Sequence, residues 1–318
     1  MELGRYAKMN VLSVFDGMSC GQIALERAGL KIDNYFASEI KEHAKKVTQY
    51  NYPNTIQLGN IRYISYENGV LKSENGVYKV GYIDLLMGGS PCQDLSRGNK
   101  NIAGLEGQKS SLFYEYLRLL KEIKPRYFLL ENVKMKKEYE ERITKYLGVR
   151  PISIDSKLVS AGLRKRLYWT NIPSIALPKD RGIVLQDILE SGYTDREKAR
   201  CLLESDSRPL VTPVKMFHRY FSTGFTTLIF KNKKHYERCK KHYNENFKGL
   251  SAKEIFYDGD IYEGLRYLNK AEREKIQTLP HGYCDTITDN EAACLCGDGW
   301  TVDVISHILS NIKKEGIK

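Results

Sequence analysis

Short apolar runs alternate with segments of helical period through the first half of the chain. Val11-Leu12-Ser13-Val14-Phe15, Tyr35-Phe36-Ala37, Ile83-Asp84-Leu85-Leu86-Met87 and Tyr127-Phe128-Leu129-Leu130 each read as a buried strand. Between them, Gln22 to Ala28, Glu42 to Tyr50 and Leu112 to Ile123 carry apolar residues at helical spacing. Strands alternating with helices of this length predict βαβ units, a parallel sheet and an α/β fold. From about Pro173 the rhythm gives way to prolines, scattered aromatics and a basic stretch. Near the end, Asn269 to Leu279 predicts a helix with an Asn cap, stopped by Pro280. Trp300 to Ile312 predicts a last amphipathic helix, which needs a partner for its apolar face. No internal repeat or low-complexity tract interrupts this layout.

Composition adds limits. At 318 residues, with 42% hydrophobic and 28% charged, the chain is globular and fits one large domain or a large and a small one. No apolar run approaches the ~18 residues of a membrane span, and Met1 to Asn10 lacks the layout of a signal peptide. Seven cysteines without a repeating framework suit a reducing interior. Fifty Lys and Arg against 39 Asp and Glu leave a net charge of +11, which favours a polyanionic partner. Between Lys231 and Lys248 lie six Lys and one Arg against two Glu, interleaved with Tyr236, Tyr243 and Phe247. That run reads either as a solvated surface helix or as a face that tracks phosphates.

The chemistry-bearing residues fall at strand ends. Phe15-Asp16-Gly17-Met18-Ser19-Cys20-Gly21 joins the first strand to the first helix, where glycines let backbone approach a ligand and the helix start offers N–H donors. It lacks the GxGxxG dinucleotide pattern. Glu39 closes the second strand, where a carboxylate can accept from ribose hydroxyls. Alone, these two features are also met by an ordinary glycine turn beside a surface Glu. Gly88-Gly89-Ser90-Pro91-Cys92-Gln93-Asp94-Leu95-Ser96 puts a cysteine on a sharp turn after a buried strand, a placement that suits a thiolate nucleophile. Cys20, Cys201 and Cys239 read instead as small buried hydrophobes. Glu131-Asn132-Val133 ends another strand, and Arg164-Lys165-Arg166 opens Leu167-Tyr168-Trp169-Thr170 with alternate arginines on one side.

Taken in order, Phe-x-Gly, Glu39, Ser-Pro-Cys-Gln, Glu-Asn-Val, Arg-x-Arg and Gly297-Asp298-Gly299-Trp300 resemble the DNA (cytosine-5)-methyltransferase family. The details are nearest to its animal de novo branch and the phage and bacterial relatives of that branch. Matching motifs run from Val11 to about Asn171 and from Leu268 to Ile308. The resemblance implies a Rossmann-like, mostly parallel sheet with flanking helices as the catalytic domain, over 9–172 and 268–318. A smaller target-recognition domain would occupy 173–267. It implies S-adenosyl-L-methionine as methyl donor, held by Phe15, Asp16, Gly17, Ser19, Gly21, Glu39, Ile40, Asn60, Ile61, Pro91, Gly299 and Trp300. The final helix would return to pack on the first motif.

On the same resemblance Cys92 is the nucleophile, Glu131 meets ring nitrogen 3 of cytosine, and Arg166 meets its carbonyl. Arg164 orients Glu131 or a phosphate. Gln93 to Lys109 forms a loop closing on DNA, with Ser96, Arg97 and Asn99 reaching the space left by a flipped base. Lys231, Lys233, Lys234, Arg238, Lys240 and Lys241 contact phosphates. Departures from the family pattern are Met18-Ser19-Cys20-Gly21 in the first motif, Asn60 where an Asp is usual, and Gly162 where a Gln commonly precedes the arginines.

Implied partners are duplex DNA and a cognate restriction endonuclease, with no membrane and a monomer in catalysis. The short N-terminal extension points to a stand-alone bacterial or phage enzyme acting in the cytoplasm. His281, Cys284, Cys294 and Cys296 fit no strong zinc spacing, so no metal is expected. Competing readings are a transfer-RNA cytosine-5 methyltransferase, which favours Pro-Pro-Cys over Ser-Pro-Cys-Gln, and an inactive regulatory relative, which would be expected to lose Pro-Cys or Glu-Asn-Val. An amino-methylating enzyme and a nicotinamide dehydrogenase lack their motifs here.

Overall fold

The computed structural model describes residues 8–91, 111–202, 213–251, 253–255 and 259–312. Cys92, Ser96, Arg97, Asn99 and the rest of the expected closing loop lie outside them.

β1 (Met9–Val14) leads through α1 (Cys20–Arg27) to β2 (Ile32–Ser38), then through α2 (Glu42–Asn51) to β3 (Ile56–Gln57). A small antiparallel sheet follows, made of β4 (Ser65–Glu67), β5 (Val70–Ser73) and β6 (Gly76–Lys79). The chain resumes with β7 (Leu85–Gly89), α3 (Leu112–Ile123), β8 (Tyr127–Val133), α4 (Lys137–Leu147), β9 (Ile152–Asp155) and β10 (Lys165–Thr170). The main sheet has the order β3-β2-β1-β7-β8-β10-β9. Its first five members are parallel, while β10 runs antiparallel to both β8 and β9. This is the expected α/β class, mostly parallel with flanking helices.

The apolar runs form strands because both faces of this sheet are covered. Leu12, Val14, Leu86 and Leu130 are buried with Phe113, Tyr116 and Trp169 in one core. Trp169 also donates from its indole nitrogen to Thr144 of α4, at 3.0 Å. Later elements are α5 (Leu185–Ile188), α6 (Pro213–His218), α7 (Lys233–Asn246), α8 (Lys270–Ile276), α9 (Asp289–Asp298) and α10 (Val302–Leu309). α10 packs on α1, and Arg27 bonds Asp303 at 2.7 Å, so the last helix finds its partner beside the first motif.

The chain divides into two compact units, one of residues 1–155, 165–178 and 302–318, the other of 156–164 and 179–301. These limits differ from those of the motifs. Residues 268–301 cluster with 179–267, since α8 packs against both α5 and α9. The second unit has its own core, rich in aromatics, around Phe217, Tyr220, Phe230, Tyr236, Tyr243 and Phe247. Among the described residues no helix is long and apolar enough to cross a membrane.

Candidate active site

Parallel register brings several loops of the first unit to one sheet edge. Val14 pairs with Ser38 on one side and Gly88 on the other, and Gly89 pairs with Glu131. Residues 15–19, 39–41, 90–91 and 131–133 therefore emerge at the carboxyl edge, where ligands of open α/β sheets collect. β10 runs the other way, so its start reaches the same edge, with Arg166 opposite Val133.

Glu131 and Arg166 meet there. Arg166 Nε donates to Glu131 Oε1 at 3.0 Å, and only 14% of the arginine side chain and 9% of the glutamate side chain are exposed. Two charges so far from water stay put because each satisfies the other. Asn132 adds a clamp. Its amide nitrogen donates to Ser90 Oγ at 3.0 Å and Ser90 O at 3.3 Å, while its oxygen accepts from Val133 N at 2.8 Å. The turn that enters Pro91 is thereby tied to the strand that carries Glu131.

Glu39 brackets the neighbouring loops. Oε2 accepts from Gly17 N, and Oε1 accepts from Ile40 N and Lys41 N, all at 2.8 Å. Ile40 beside it is 66% exposed. Phe15, Gly17 and Ser19 all adopt left-handed φ, between 57° and 59°, which turns the loop tightly over the end of β1. Asp16 holds it from beneath, accepting from the hydroxyl of Tyr35 at 2.6 Å and from that of Ser19. Burial pushes the Asp16 carboxyl up to about 6; hydroxyls of Ser13, Ser19 and Tyr35 oppose the rise, and Glu39 adds to it. Nothing in the sequence marks Tyr35 for this role, since it is one more aromatic in a buried strand. Gly21 is buried, with Met87 and Tyr35 closing over it.

Asn60 follows Gly59, whose carbonyl accepts from Ser38 Oγ at 2.8 Å. The Asn60 N–H donates to Glu74 at 2.6 Å, and its side-chain oxygen caps the short 3₁₀ turn Ile61–Tyr63 by accepting from Arg62 N at 3.1 Å. Ile61 is 3% exposed and its side chain is committed to the core, so any contact it makes with a ligand falls to its backbone. Glu74, on the turn of the small sheet, carries no sequence signal for this site.

Arg164 belongs to the second unit, where its guanidinium donates to Gly297 O at 2.9 Å and Asp298 O at 3.2 Å. A cation on the last carbonyls of α9 closes that helix. Gly299 continues the same helix end, its N–H donating to Leu295 O at 2.7 Å and its carbonyl accepting from Gln277. Trp300 is half-buried in that unit.

The basic run is largely α7. His235, Tyr236, Cys239 and Tyr243 face the core, leaving Lys233, Lys234, Arg238, Lys240 and Lys241 exposed, with Lys231 just ahead. Arg238 and Lys241 line a groove of about 340 Å³ with His242, Glu245 and Asp260. The Cys284 thiol is pushed far up by its hydrogen bond to Cys296 and by burial. Among the described residues no group of three His, Cys, Asp or Glu is arranged to hold a metal ion.

Residues 9–147 match the family model for C-5 cytosine-specific DNA methylases. The DNA (cytosine-5)-methyltransferase DRM2 of rice (Oryza sativa subsp. japonica) is 33% identical over 122 residues, which are 36% of this chain and 20% of that protein. The type II methyltransferase M.NgoBV of Neisseria gonorrhoeae is 30% identical over 211 residues, 58% of this chain and 47% of that one. The chain thus spans between a fifth and a half of the length of these two relatives. In fold it is similar to a crystal structure of a mutant DNMT2 from Spodoptera frugiperda, with TM-score 0.70 and 19% identity, covering 96% of this chain and all of that one.

Proposed function

We propose, from the match of residues 9–147 to the C-5 cytosine-specific DNA methylase family model, that the chain is a DNA (cytosine-5)-methyltransferase. The observation that carries this reading is the meeting of Glu131 and Arg166 at the sheet edge where Ser90 and Pro91 leave β7, directly before Cys92 in the sequence. S-adenosyl-L-methionine, when bound, supplies an electrophilic methyl group. The Phe15–Ser19 turn and Glu39 suit it. Glu39 Oε2 accepts one backbone N–H and keeps a lone pair for a ribose hydroxyl, and exposed Ile40 offers an apolar face to a purine.

Carbon 5 of cytosine is a poor nucleophile until a thiolate adds at carbon 6. Cys92 makes that bond, which moves electron density onto carbon 5. Glu131 shares a proton with ring nitrogen 3 and neutralises the charge that develops there. Arg166 holds Glu131 in position and points a second donor at the ring carbonyl. Once carbon 5 is methylated, loss of its proton restores the ring double bond and expels the Cys92 thiolate. The target base leaves the duplex stack to reach this site, at a cost of a few kcal/mol. Residues 173–267 supply target recognition, with phosphate contacts from Lys231, Lys233, Lys234, Arg238, Lys240 and Lys241. The catalytic motifs fall within 9–172 and 268–318, although residues 268–301 cluster with the second unit.

Expression in a methylation-free bacterial host, followed by bisulfite sequencing of plasmid DNA, tests the proposal. Protected cytosines at a defined sequence are expected, together with complete loss in Cys92→Ala. Methylation of transfer RNA with none of duplex DNA would shift the assignment to the RNA enzymes. Native-rate methylation by Cys92→Ala would overturn the nucleophile.

A further inference from the structure

Two arginines of the second unit stand without a counter-charge among the described residues. Asp195 directly precedes Arg196, yet both its oxygens are occupied by phenols. The Tyr220 hydroxyl donates to Oδ1, and the Tyr236 hydroxyl to Oδ2 at 2.7 Å. Burial, then the bonds to Asp195, push both phenols well above their usual range, so they remain donors. Arg196 instead lies on the Tyr220 ring, with Cζ 4.4 Å from its centroid, and Nη2 reaches the Tyr220 carbonyl at 3.5 Å. Its buried Nε has no hydrogen-bond partner. Arg200 is exposed, and its backbone is anchored by a bond from its N–H to Thr227 Oγ1 at 2.8 Å.

The two forks converge. Gly224 turns the chain at φ +64°, and a Cβ built there would lie 3.8 Å from Nη2 of both Arg196 and Arg200. Phe225, the next residue, is 68% exposed. Two cations gathered on one turn repel each other, and neither pairs with a carboxylate among the described residues. The grouping suits an outside polyanion. Planar guanidinium forks beside a bare aromatic ring fit base edges and base faces better than they fit phosphate alone.

The backbone sets where this tip stands within its unit. Ala199 is bonded both ways to the segment entering Arg164: its N–H donates to Ala161 O at 2.7 Å, and its carbonyl accepts from Leu163 N at 2.9 Å. Arg164 Nη1 lies 3.7 Å from Cys201 Sγ. Arg200 is thus carried between two residues fixed to the segment that ends at Arg164.

We propose that Arg196, Arg200 and Phe225 form the base-reading tip of this protein, with Arg200 making a paired contact to a guanine of duplex DNA. The tip deepens the methyltransferase reading and rests on its DNA substrate, but its test requires no methyl transfer. A library of random duplexes is selected by binding to the full-length protein and sequenced, for wild type, Arg200→Lys, Arg200→Gln and Phe225→Ala. Wild type should enrich a motif containing a fixed guanine. Arg200→Lys keeps the charge but removes the fork, so preference at that one position should fall about tenfold or more, with the salt dependence of binding nearly unchanged. Phe225→Ala should weaken the preference next to it. These exposed substitutions leave the core intact, which an unchanged melting curve would verify.

An unaltered motif in Arg200→Lys overturns the proposal. So does a uniform loss of affinity in Arg200→Gln with a salt slope shallower by about 1, the mark of a phosphate contact. Failure of wild type to enrich any duplex, or its preference for transfer RNA, overturns it as well. If wild type selects a motif yet methylates no plasmid, the enzymatic reading fails while the tip stands.

Discussion

Glu131 and Arg166 are drawn from opposite strand directions, β8 running toward the site edge and β10 starting from it. Their pairing makes each a condition for the other. Glu131→Gln keeps the shape and one acceptor for Arg166 but removes its counter-charge, so it should destabilise less than Glu131→Ala while methyl transfer falls about a hundredfold or more. Glu131→Ala leaves Arg166 buried without its carboxylate, and should cost about 3 kcal/mol in urea unfolding as well. Asp16 predicts a pH effect of unusual sign. Its folded carboxyl titrates at about 6 against an ordinary 3.8, so between those pH values the folded chain holds more protons than the unfolded one. Stability from this group therefore falls as pH rises through the window and is level above it. Urea midpoints for wild type and Asp16→Asn at about pH 4.5 and about pH 7 should show the slope reduced in the variant. At this scale the sequence locates Glu39, Glu131 and Arg166 but is silent on what they hold. The Gly17 donor on Glu39, and the helix end that takes Arg164, depend on chain brought together from far apart.

Among elements, those buried on both faces are legible, because a covered parallel strand needs a continuous apolar run and little else. Leu112–Ile123 matches its predicted limits, and Asn269 caps α8 with Glu272 in a reciprocal box. The small sheet β4–β6 leaves no such trace: it is short, mostly half-exposed and made of residues such as Ser65, Lys72 and Tyr78 that form no run. α4 is hidden for a related reason, since only Ile143 and Leu147 of its eleven residues are buried. Close approach of β1 and β7 is set by Gly88, where an added Cβ would lie 2.7 Å from the Val14 backbone oxygen. That oxygen belongs to a ladder and cannot step aside, so Gly88→Ala should destabilise by about 2 kcal/mol, measured by thermal or urea unfolding.

For the whole molecule, the net charge of +11 is concentrated in part on the outer face of α7. Replacing Lys233, Lys234 and Lys241 with Gln should weaken binding to all duplexes alike and make the salt dependence shallower, by about 0.9 for each phosphate no longer neutralised. A fluorescence titration across salt concentrations checks this, and an unchanged slope would exclude that face from the DNA. The interval from 173 to 267 resists reading because its core is aromatic and its chain irregular, so neither strand nor helix period marks it. The arginines proposed to read bases become visible only when turns such as Gly224 gather residues separated in sequence.

Neither compact unit is a single stretch of chain, for the backbone passes between them after residues 155, 164, 178 and 301. A chimera cut only at 179 and 301 would leave behind the excursion Ser156–Arg164, and with it the carbonyl of Ala161 and the N–H of Leu163 that grip Ala199. If the proposed tip reads bases, transplanting a new sequence preference into this scaffold requires two grafts made together, because both pieces of chain hold it.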